Sequence, residues 1–223
     1  MLKKFISGLL CFALTFSAAS AGVFASAKIE LPVQKSDDFV EVVDFIADYN
    51  YPPNKYLSVY DISTATVLYD GFSEEQKALV RDRDKLTEIC KAALANHKIY
   101  EVTVEMTVDE IDKLDVGRDL DAAYASVYYY LLSDEQKAQV GNAQKLLDVC
   151  ASLRDDGLFV SGDFDFDGMS TVVDALRILQ STVGKINIIN IQKKYCDVNG
   201  DGRITGVDAL IVLDPRMPDF PRH

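Results

Sequence analysis

From Phe39 onward, apolar residues return every three to four positions, the interval that gathers them on one face of a helix. The spacing predicts helices over Phe39–Tyr49 and about Tyr56–Tyr69, and behind them a run carrying Leu79, Leu86, Ile89 and Ala93. The same order then returns, with Val108–Leu114, about Leu120–Leu131, and a run carrying Val140, Leu146, Val149 and Leu153.

The two sets are copies of one unit. Ser73-Glu74-Glu75-Gln76-Lys77-Ala78 aligns with Ser133-Asp134-Glu135-Gln136-Lys137-Ala138, and Ala65, Val67, Tyr69, Val80, Lys85, Leu86 and Cys90 align with Ala125, Val127, Tyr129, Val140, Lys145, Leu146 and Cys150. A period of about sixty residues marks a duplication. Ser73 with Gln76, and Ser133 with Gln136, have the capping-box form, in which the Ser oxygen accepts a free first-turn N–H and the Gln reaches back. About three helices per copy are expected, in an antiparallel bundle, with an insertion near Tyr51-Pro52-Pro53.

Ahead of the helices the pattern changes. Lys3 and Lys4 precede an apolar run from Phe5 to Phe16, then small residues with two small-x-small sites, Ala19-Ser20-Ala21 and Ala25-Ser26-Ala27. This is the form of a cleavable secretory leader, and the run is short for a bilayer span, which takes ~20 residues. No other stretch reads as a span. The expected organisation is a leader over 1–27, a duplicated helical module over 28–154 and a third region over 155–223.

The net charge of -12 opposes a nucleic-acid partner, which requires clustered Lys and Arg, and suits a protein that gathers cations. Past the leader, Cys90, Cys150 and Cys196 remain. Cys90 and Cys150 read as small buried hydrophobes. Histidine occurs only at 97 and 223, Trp is absent, and the helical half displays no catalytic constellation. The tyrosines at 124, 128, 129 and 130 read as core packing.

The third region carries the clearest chemistry. Asp163-Phe164-Asp165-Phe166-Asp167-Gly168 runs on to Asp174, and Asp197-Val198-Asn199-Gly200-Asp201-Gly202 runs on to Asp208. Both follow the spacing of a calcium loop, with Asp in place of the closing Glu. Calcium takes six to eight oxygen ligands. Asp163, Asp165 and Asp167, and then Asp197, Asn199 and Asp201, supply positions one, three and five. Gly168 and Gly202 allow the turn at position six. The carbonyls of Met169 and Arg203 are expected at position seven. Thr171 and Thr205 are expected to reach the ion through water, and Asp174 and Asp208 close each shell. Two calcium ions are therefore expected. Each loop leads into a helix of like pattern, Asp174-Ala175-Leu176 with Leu179 and Asp208-Ala209-Leu210 with Leu213.

This duplicated loop, closing on Asp and followed by Ala-Leu-x-x-Leu, resembles the type I dockerin of cellulosomes over about Phe159–Phe220. The non-helical approach, Gly157 to Gly162, fits the dockerin form of loop then exiting helix. The resemblance implies calcium-dependent docking onto a cohesin module of a scaffoldin, in a setting of polysaccharide degradation. It assigns partner contacts to Val172, Val173, Arg177 and Gln180 in the first copy and to Gly206 and Val207 in the second. Pro215 is expected to shorten the second helix. The tail with Pro215, Pro218, Phe220 and Pro221 either folds back on Phe159 or frays. The helical half is similar to repeats of extracellular proteins of Gram-positive bacteria, which implies a spacer or interaction module. The expected whole is a secreted, all-α protein without its own catalytic set. Two other readings stay open: a cellulosomal hydrolase acting through the helical half, and a calcium-binding protein independent of cohesin.

Overall fold

The computed structural model describes residues 36–114, 121–156 and 158–214. The segment expected to be a leader, Gly157 and the proline-rich tail lie outside the described residues. Every described element is a helix, so the all-α expectation holds.

The first copy consists of α1 (Ser36–Tyr49), α2 (Val59–Asp70), α3 (Glu74–Leu79) and α4 (Arg83–Asn96); the second of α5 (Val104–Asp112), α6 (Asp121–Leu131), α7 (Asp134–Lys137) and α8 (Ala143–Asp156). In each copy three helices pack on one another, α1 with α2 and α4, and α5 with α6 and α8, while the two copies meet chiefly through α2 and α6. The expected three helices are these. The fourth, α3 or α7, is short and starts at the predicted capping box, where Ser73 accepts from Gln76 N and Ser133 from Gln136 N.

The run behind the first box is not one helix. Val80 turns the chain into extended backbone, leaving Leu79 on the surface while Val80 is buried. A side chain distant in sequence holds the break. Asp44 of α1, itself buried, accepts hydrogen bonds from the backbone N–H of Arg81 at 2.9 Å and of Asp82 at 3.1 Å, and from Arg81 Nε at 2.9 Å. At the corresponding break in the second copy, Asn142 Nδ2 donates to Val108 O at 3.0 Å and to Asp112 Oδ1 at 2.8 Å. The duplicated fold thus retains the break but secures it with different groups.

Between the copies, Asp70 is buried and its Oδ2 accepts from Ser126 Oγ at 3.1 Å. Burial pushes its carboxyl up to about 7, against the opposing pull of the Lys137 and Lys77 charges. The folded chain therefore holds this proton where the unfolded chain has lost it. Its contribution to stability falls as pH rises from about 4 towards 7. Asp70→Asn is expected to gain about 1–3 kcal/mol at pH 8 and to flatten this slope, as read by thermal unfolding across pH.

The remaining helices are α9 (Val172–Thr182), α10 (Asn190–Cys196) and α11 (Gly206–Leu213). Helices α9 and α11 pack together, and α10 reaches α1. Helix α11 is shorter than α9; Pro215, expected to end it, lies outside the described residues. Phe164, Ala175, Ile178, Cys196 and Ala209 form a small core. Phe166, Ile191 and Tyr195 belong instead to the large core of α1, α2 and α4. Cys90, Cys150 and Cys196 are buried free thiols, one in each of three clusters. No helix among the described residues is long and apolar enough to cross a membrane.

Candidate metal centre and docking face

The two loops close by the same hydrogen bonds. In the first, Asp163 accepts from Gly168 N at 2.9 Å and from Asp167 N at 3.3 Å, and Asp167 accepts from Met169 N at 2.9 Å. In the second, Asp197 accepts from Gly202 N at 2.7 Å and Asp201 N at 3.0 Å, and Asp201 accepts from Arg203 N at 2.8 Å. Gly168 and Gly202 take φ of 85° and 81°, the left-handed region that favours glycine.

The closing carboxylates anchor each loop to its helix. Asp174 accepts from Phe164 N at 2.9 Å and from Thr171 N at 2.8 Å; Asp208 accepts from Val198 N at 2.9 Å and Thr205 N at 2.8 Å. Thr171 and Thr205, expected to reach the ion through water, serve as helix N-caps. Their hydroxyls donate to Asp174 and Asp208 and accept from Val173 N and Val207 N at 3.1 Å.

The loops differ in charge and burial. Oxygens of Asp163, Asp165 and Asp174 lie within 4.8 Å of one another. Asp165 Oδ1 is buried and has no hydrogen-bond partner. Burial pushes Asp163 up to about 8 and Asp165 to about 7, with the neighbouring carboxylates adding to both shifts. A convergent set of hard oxygen donors with an unsatisfied carboxylate oxygen fits a calcium ion. In the second loop Asn199 replaces one carboxylate, and its amide donates to Asp201 at 3.0 Å. Asp201, Gly202 and Arg203 are exposed there. The approach to the first loop is non-helical as expected, but α10 leads directly into the second.

The residues expected at the partner contact differ in their surroundings. Val172 and Val173 are exposed at 68% and 46%, at the start of α9. Gly206 and Val207 open α11 and are half-buried. Arg177 reaches the helical half, where its Nε donates to Tyr49 OH at 3.1 Å, and its Nη1 donates to Gln180 of its own helix at 3.1 Å. Motif reading missed the outward apolar residues Leu176, Leu179, Val183, Leu210 and Leu213. The first, second, fourth and fifth of these stand in the repeated Ala-Leu-x-x-Leu pattern, which was legible as a motif but not as a surface.

Residues 161–214 match the family model of the dockerin type I domain. The region is therefore a type I dockerin domain, a class of module that binds calcium and docks onto cohesins. No curated protein and no solved structure matches the chain.

Proposed function

We propose that this chain is a secreted protein that docks, with calcium bound in both loops, onto a cohesin module of a scaffoldin. Asp163, Asp165, Asp167 and Asp174 hold one ion, together with the Met169 carbonyl. Asp197, Asn199, Asp201 and Asp208 hold the other, with the Arg203 carbonyl. The leader over 1–27 directs export, the region over 155–223 attaches the chain to its scaffold, and the duplicated module over 28–154 is a non-catalytic interaction or spacer element carried into a polysaccharide-degrading assembly.

The observation that carries the docking reading is the apolar face beside the loops. Val172, Val173, Leu176 and Leu179 are all exposed on α9, and so are Leu210 and Leu213 on α11, which packs against it. A contiguous exposed apolar patch marks an interaction surface. The first helix presents more of it, since Gly206 stands where the first copy has Val172. Val173→Asp is therefore expected to weaken binding to a cohesin by about tenfold or more, and Val207→Asp by less, in titration calorimetry. Equal losses would contradict a dominant first helix.

A further inference from the structure

The fourth position of the second loop is Gly200, at φ 71°. The same position of the first loop is Phe166, at φ 61°. A bulky residue is rarely found there, so something outside the loop must hold it. The Phe166 ring is fully buried in the core of the helical half, edge-on to Phe45 of α1 at 5.9 Å and to Phe159 at 5.3 Å. Phe164, at the second position, also meets Phe45, at 6.1 Å. Arg177, on the helix closing this loop, is bonded to Tyr49 of α1.

The helical half also shapes the open side of the loop. Asp165 and Asp167 share a cleft of about 160 Å³ with Tyr49, Asn54, Tyr56 and Asp61. Asp61 is held in place there, since its Oδ2 accepts from Ser58 N as the capping-box residue of α2. One more carboxylate thus faces the loop that already has the larger carboxylate count. The second loop itself has no ring contact or hydrogen bond to α1 or α2 among the described residues; only α10, which leads into it, packs on α1, through Ile191 and Tyr195.

We propose that the helical half forms one wall of the first calcium site, with Phe166 as the residue that positions the loop on it, so that calcium at this loop, and not at the second, stabilises α1 and α2. The proposal rests on the reading that both loops bind calcium. Anything that binds the folded loop in preference to the unfolded one stabilises whatever folds with it. Asp61 adds a negative charge that favours the cation at this site alone.

Hydrogen exchange of the α1 and α2 amides in the full chain, with and without calcium, tests this alongside calorimetric calcium titration. Calcium is expected to slow their exchange on the order of tenfold, equally in an Asp197→Ala variant that disables the second loop. Phe166→Gly gives the first loop the residue found in the second. It is expected to retain calcium stoichiometry while losing most of the slowing. Asp61→Asn is expected to weaken only the first site, on the order of threefold to fivefold. Calcium bound at both loops with unchanged α1 and α2 exchange would overturn the proposal and leave the calcium reading standing. So would full slowing in Phe166→Gly. A chain that binds no calcium at the first loop would overturn both.

Discussion

Without calcium, the chain is expected to be least stable at alkaline pH and to gain stability on acidification. The folded first loop holds the carboxyls of Asp163 and Asp165 near pKa values of about 8 and 7, against an ordinary 3.8. The calcium-free folded state therefore carries protons that the unfolded chain releases. That difference destabilises the fold progressively as pH rises from about 4 to 8, and is absent below the unfolded pKa. On the proposed function, calcium held by these side chains would replace those protons and leave the carboxylates ionised. The stabilisation by saturating calcium should accordingly be small near pH 5 and large near pH 8, where chelation is expected to lower the unfolding midpoint by about 5 °C or more. Thermal unfolding at the two pH values, in calcium and in chelator, measures it. A calcium effect equal at both would mean that these carboxyls ionise normally in the folded loop.

Truncating Phe166 is expected to be the most damaging single change in the dockerin region. A fully buried ring is lost, and Phe→Ala changes at such sites cost about 3–5 kcal/mol. The backbone adds a second component. Alanine retains a Cβ and so retains the strain at φ 61°, whereas glycine relieves about 1 kcal/mol of it. Phe166→Gly should therefore be less destabilised than Phe166→Ala, the reverse of their order inside a helix. Chemical denaturation of the two variants in saturating calcium reads this order. Equal stability would mean that the loop relaxes once the ring is gone.

Much of this molecule is legible in its sequence because the informative signals are local. The capping boxes at Ser73 and Ser133, the calcium spacing and the repeat each lie within a few residues or at a fixed period. What escaped the sequence depends on groups far apart in the chain. The stop at Val80 is stabilised by Asp44, and helical periodicity alone carries Leu79 onto a core stripe it does not join. Arg177 reads as a partner contact because its place in the motif is exposed in principle, yet Tyr49 of the helical half occupies it. The alternation Asp163-Phe164-Asp165-Phe166-Asp167 did contain a clue. Aromatic residues at loop positions two and four have no role in holding an ion, and the second loop has Val198 and Gly200 there. Only the packing reveals that they join the loop to α1.

That packing also ties the dockerin region to the helical half. A fragment beginning at residue 155 would lose Phe45 and the core around Phe166, so docking is best measured on the full chain. The decisive measurement is binding of the full chain to a panel of cohesin modules, in calcium and then in excess chelator. Binding that is tight in calcium and lost in chelator is the predicted result. A folded, calcium-loaded chain that binds no cohesin would contradict the docking function and leave a calcium-binding protein with a different partner.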